Sequence, residues 1–221
     1  MKPIYDKSGD ALQMSAYPIA AATAITRGQA VKLTNGKIVA ATQSDSKYAV
    51  VGIAAETHSG VKDPLNCRSD GTEILVYNSP TLVGDLKPFT LPVSETGTTT
   101  ITSDSLSGYD GGELVGGFVQ LADKAADSSN NDPIGTVYSI ITFTYDEEDE
   151  AYDFKLSGCS GSYGASDTYV IYPAVGFNLG GISTNSDEIN LSSDVYPVYT
   201  VESIDFARGI VRVGFRTSAH K

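Results

Sequence analysis

A net charge of -12 on 221 residues, with 22 glycines, 13 tyrosines and no tryptophan, describes an acidic chain long enough to bury a sizeable core. Such a charge repels the phosphate backbone, which excludes nucleic acid as a partner of the surface as a whole. Two cysteines, Cys67 and Cys159, allow at most one bridge; no apolar run approaches the roughly 18 residues that span a bilayer, and "MKPIYDKSGDALQ" lacks the order of a signal peptide, so the sequence reads as soluble, without a membrane partner, and compatible with a reducing compartment.

The first 19 residues, with Pro3, Pro18 and no helical apolar period, read as an extended N-terminal arm. "QAVKLTNGKIVAAT" follows, two short strands around Asn35-Gly36, a dipeptide suited to a type I′ turn because both of its residues accept positive φ. "YAVVGIAAE" is almost continuously apolar and predicts a buried strand, and "TEILVYN" predicts another, ended by Pro80. Pro88 and Pro92 make "LVGDLKPFTLPVS" an edge strand or an irregular crossing, and the Thr, Ser and Gly of residues 94–112 suit a surface loop or a thin outer strand.

"VQLADKAADSSN" is the one short candidate for a helix. "GTVYSIITFTY" and "AYDFKLSG" flank the acidic run Asp146 to Glu150 and predict a long hairpin with a charged tip. "DTYVIYPAVGF", "YPVYTVESIDFARG" and "IVRVGFRTS" complete the strands, the last with Val211, Val213 and Phe215 on one face and Arg212 and Arg216 on the other. Turn signals about every ten residues make the chain all-β, a small barrel or sandwich built from the N-terminal and C-terminal strands, with an inserted or second β-rich region. The divisions are 1–19 for the arm, 20–89 plus 195–221 for the barrel, and 90–194 for the insertion or second domain.

Chemistry is sparse. Of the two histidines, His220 is penultimate, and His58 in a polar loop reads as an exposed surface side chain, so no nucleophile has a base to orient it. "GCSGSYG" departs from a nucleophile elbow because Ser162 stands where a glycine is needed. "DSSNNDP", from Asp127, has oxygen ligands at alternate positions but Asp132 and Tyr138 where a calcium loop needs glycine and glutamate. No nucleotide-binding glycine pattern and no zinc spacing is present in the sequence, and no cofactor or metal is expected. Tyr163, Tyr169, Tyr172, Tyr196 and Tyr199 admit two readings, a sugar or protein contact and ordinary sheet packing, the second favoured by their strand spacing.

Charge is uneven along the chain. Residues 1–40 carry five basic side chains against two acids, residues 208–221 carry four against none, and residues 41–207 carry -19. Either the ends are solvated by chance, or both belong to one face that meets an acidic partner while the middle faces water.

"TRGQAVKLTNGKIVAAT", "VVGIAAETHSG" and "DGTEILVYNSPTLV" together resemble the head decoration, or cement, proteins of tailed bacteriophages, through Gly28, Gln29, Val31, Gly36, Gly52, Ile53, Ala54, Gly71 and Val76. The resemblance covers residues 20–85, with 197–217 expected to return to the same sheet; residues 90–190 depart from it. It implies a non-enzymatic virion protein on the outer surface of a capsid, made in the host cytoplasm and bound to the major capsid protein as a homo-oligomer, a trimer. On that implication Lys2, Tyr5, Lys7, Arg212 and Arg216 are the capsid contacts. The alternative is a head-fibre or tail-associated adhesion module whose tyrosines bind host surface glycans.

Overall fold

The computed structural model describes residues 1–9, 11–42, 45, 49–59, 72–79, 81–106, 109, 111–180, 189, 191 and 197–215. Among them the chain forms seventeen strands and no helix. In chain order these are β1 (Lys2–Asp6), β2 (Met14–Pro18), β3 (Ala30–Thr34), β4 (Lys37–Ala40), β5 (Val50–Ala54), β6 (Glu73–Tyr77), β7 (Leu82–Leu86), β8 (Phe89–Leu91) and β9 (Glu95–Thr96). They continue with β10 (Thr100–Ser103), β11 (Phe118–Asp123), β12 (Val137–Asp146), β13 (Ala151–Leu156), β14 (Thr168–Tyr172), β15 (Asn178–Gly180), β16 (Pro197–Asp205) and β17 (Ile210–Phe215). Three antiparallel sheets result, a curled sheet β2-β6-β5-β3-β4, a terminal sheet β1-β7-β17-β16-β15 and a middle sheet β8-β14-β11-β12-β13-β10-β9. The fold is all-β and sandwich-like, and none of the sheets closes into the barrel that the sequence allowed.

In the curled sheet, Asn35 and Gly36 take φ of 51° and 74° and form the tight turn between β3 and β4. The sheet bends until β4 meets the residue after β2 in a parallel bridge, Ile19 to Ile38, and stops short of closure. Its concave side holds a separate aliphatic core of Ile19, Ile25, Val31, Ile38, Val51, Ala54, Ile74 and Val76. All five residues of β5 are buried, because the opposite face, with Val50 and Ile53, joins the main core. Gly52 lies where a Cβ would overlap the Tyr77 carbonyl of the neighbouring strand, so the close approach of β5 and β6 requires glycine there.

The remaining sheets share one contiguous core, in which Leu82, Leu86, Val201, Val211, Val213 and Phe215 meet Leu91, Ile101, Val119, Phe143 and Phe154. Several expectations change here. β7 is interior, paired with β1 on one side and β17 on the other, and Pro88 instead marks the crossing from the terminal sheet to β8, an edge of the middle sheet. β16 and β17 join β7 and β1, not the sheet of the Asn-Gly hairpin. The helix candidate is the strand β11 followed by turns, since Val119 and Leu121 alternate into the core with period two. Within residues 1–19, read from the sequence as an arm, β1 lies at the edge of one sheet and β2 at the edge of another.

The long acidic hairpin is β12 and β13, with Glu147 to Glu150 exposed at its turn. Beneath it Phe143 stacks on Tyr152 at 5.1 Å and 12°, with the Tyr109 ring edge-on at 5.8 Å.

Candidate functional site

Lys2, Tyr5, Lys7, Arg212 and Arg216, which the resemblance would make capsid contacts, come from sequence positions more than 200 residues apart, and the terminal sheet brings the first four together. Register places Lys2 opposite Asp85, Asp85 opposite Arg212 and Arg212 opposite Ser203, so these four share one row across β1, β7, β17 and β16. A bulge at Ile4 shifts the register between Pro3 and Tyr5, which pairs Tyr5 with Val83, two residues from Asp85 on β7. Lys2 and Tyr5 therefore lie on the same face, whereas an unbroken strand would send residues three apart to opposite faces. The inner side of the same strands carries Val211, Val213 and Phe215 into the core. Arg216 lies outside the described residues.

Two of the cations are already engaged. Arg212 donates from Nε to Asp85 Oδ1 at 3.0 Å, and the hydrogen bond to that carboxylate outweighs burial and holds the guanidinium more firmly protonated than usual. Lys7, just beyond β1, reaches Glu202 Oε1 at 2.6 Å, and the Glu202 carboxylate lies over Gly214, where a Cβ would overlap it. Lys2 and Tyr5 are exposed. The result is a sheet face with charges of both signs. It can orient a charged protein surface.

At the end of this face Asp6 is buried and forms the corner between β1 and β7. Burial pushes its carboxyl up, but hydrogen bonds from Ser79, Thr81 and Ser8 outweigh that and hold it well below the usual carboxylate range. At the other end the β16–β17 hairpin forms a groove of about 560 Å³ lined by Ile204, Asp205, Phe206, Arg208, Ile210 and Arg212 among others.

A second polar concentration closes one end of the middle sheet. Asn130, 1% exposed, donates from Nδ2 to the Tyr138 hydroxyl at 3.0 Å, and that hydroxyl donates to Asp132 Oδ2 at 3.1 Å, which also accepts from the Ser160 amide. Asp167 accepts from the Ala125 amide, the Ser128 hydroxyl and the Tyr169 hydroxyl. The calcium-like loop supplies Asn130 and Asp132 to this network and the elbow-like "GCSGSYG" stretch supplies Ser160, and Asn130 Oδ1 and Asp132 Oδ2 accept from protein donors. Among the described residues no group of three or more His, Cys, Asp and Glu could hold a metal ion.

Other sequence readings are settled similarly. Tyr163, Tyr169, Tyr172 and Tyr199 are at most 4% exposed and belong to the core, so they form no sugar platform; Tyr196 lies outside the described residues. His58 is not the surface side chain expected. It is 8% exposed and its backbone bridges to Ile25, because the segment after β5 folds back along residues 25–29. Cys67 lies outside the described residues, and Cys159 is a free thiol near the Thr98 carbonyl.

No family model, no curated protein and no solved structure matches the chain.

Proposed function

We propose that this chain is a non-enzymatic structural virion protein that binds the outer surface of a bacteriophage capsid and stabilises it, in the manner of a decoration protein. The observation that carries the reading is the convergence of both basic chain ends on one face of the terminal sheet, in a molecule whose net charge is -12. On that face Lys2, Lys7 and Arg212 outnumber Asp85 and Glu202, and a positive excess on one face of an acidic body orients it toward an acidic surface, while the repulsion of the rest disfavours wrong poses. Setting those side chains on paired strands, with Arg212 held by Asp85 and Lys7 by Glu202, lowers the ordering cost of docking. In this reading the partner is the major capsid protein, and the protein docks as a homo-oligomer, a trimer on the resemblance.

The test is co-sedimentation with empty capsids of the virus that encodes the chain. Wild type loads in a fixed ratio that falls with added salt. Lys2→Glu combined with Arg212→Gln reduces loading about tenfold or more, while the melting temperature is followed to account for the Asp85 left unpaired. Loading unchanged in the double variant overturns the assignment of the face; wild type that never loads overturns the function.

A further inference from the structure

The groove of the β16–β17 hairpin carries two arginines, each beside one carboxylate, and among the described residues most of their N–H donors have no protein acceptor. The Arg208 side chain is 66% exposed and its nearest carboxylate, Asp205, is 4.0 Å away, beyond hydrogen-bond length. Arg212 spends only its Nε–H, on Asp85. A guanidinium has five N–H donors, so among the described residues both arginines keep planar pairs of donors free beside the apolar Ile204 and Ile210. That combination suits carboxylates with an apolar neighbour, because the fork of N–H groups matches two carboxylate oxygens at once. The wall is held in place: the Phe206 ring meets Phe118 at 5.2 Å and Tyr172 at 5.0 Å, both edge-on.

The chain itself carries a complementary feature. Asp146 to Glu150 are five consecutive acids at the turn of its longest hairpin, next to Tyr145, which is 41% exposed. They cannot enter their own groove. Phe206 packs on Phe118, Phe118 pairs with Ser139, and the tip begins seven residues further along β12, roughly 23 Å away at strand rise.

We infer that the β16–β17 groove receives the acidic β12–β13 tip of a second copy of this chain. The contact is heterologous, tip to groove, so it builds a ring where the rotation closes and an open chain where it does not. Its polar part is exposed ion pairing, which is modest per pair and screened as the Debye length falls from roughly 30 Å at 0.01 M salt to roughly 3 Å at 1 M. Tyr145 against the apolar lining supplies the part that salt does not screen. The inference goes beyond capsid binding and is measured with no capsid present, so either can fail alone.

Sedimentation velocity on the full chain over a concentration series at low and high salt tests it. Wild type associates at low salt, with an apparent dissociation constant about tenfold or more weaker at 1 M. Arg208→Glu is monomeric, and so is the chain carrying Glu147→Lys, Glu148→Lys and Asp149→Lys. An equimolar mixture of these two variants associates again, since each then offers the tip that the other's groove fits. All the substituted side chains are exposed, and unchanged melting temperatures establish that both variants fold. Wild type that stays monomeric throughout overturns the inference, as does an oligomer that either variant leaves intact or a mixture that fails to reassociate.

Discussion

Inside the curl of β2 to β6 the buried side chains are isoleucine, valine and alanine, and none has a polar atom beyond its backbone. The middle sheet and its loops bury Tyr138, Tyr152, Tyr163, Tyr169 and Tyr172 along with Phe143 and Phe154, so five tyrosine hydroxyls enter its interior with their rings. Each hydroxyl must find a partner, since an unpaired one costs about 1–3 kcal/mol. Tyr138 uses Asp132, Tyr152 uses the Tyr109 carbonyl, Tyr172 uses Gln120, Tyr163 uses the Ser157 carbonyl and Tyr169 uses Asp167. The comparison explains why the loops at 127–132 and 157–164 look like sites in the sequence: they supply the polar lining that an aromatic core requires and an aliphatic one does not.

Alkaline pH should separate the two regions most. Burial, with Asp167 nearby, pushes the Tyr169 hydroxyl up to about 12, and burial raises those of Tyr138, Tyr163 and Tyr172. A raised folded-state value means stability that is fully present below the unfolded value near 10 and is lost as pH rises through the folded one. Hydrogen exchange read against pH should therefore show the middle strands losing protection above pH 10 before β3 to β6 do. Equal loss in both would break the comparison. Phe143→Ala removes the ring stacked on Tyr152 and should cost about 3–5 kcal/mol in urea unfolding.

On the aliphatic side the sensitivity is to volume. Gly52→Ala drives a methyl into the Tyr77 carbonyl and should cost about 3 kcal/mol. Tyr138→Phe strands Asn130 and Asp132 and should cost about 1–2 kcal/mol, with a smaller loss if Asp132→Asn is added, as a double-mutant cycle would show. The smallest effect belongs to the terminal sheet, where Lys7→Met removes an exposed ion pair and should change stability by less than about 1 kcal/mol.

Strands were legible wherever period-two burial and turn residues coincided, as at Asn35-Gly36, at the buried β5 and at the hairpin around Asp146 to Glu150. β11 was harder to read because its last residues, Ala122 and Asp123, are exposed and followed by the charged turn at Lys124, which imitates the polar face of a short helix. The site was half legible. Basic residues at both ends could be counted, but the Ile4 bulge that aligns Lys2 with Tyr5 leaves no mark in residue type. The pairing of Arg212 with Asp85 joins residues 127 apart in sequence.

The sequence by itself determined the strand class, the tight hairpin and the acidic tip, because each rests on local backbone preference or on which side chains exist at all. Tertiary structure alone decided that β7 is interior, that His58 is buried, that the tyrosine hydroxyls recruit the polar loops, and that β1 and β17 share a sheet. Those outcomes depend on which strands pair and in what register, and pairing is chosen by the free energy of burying two faces together, which no single stretch of chain contains.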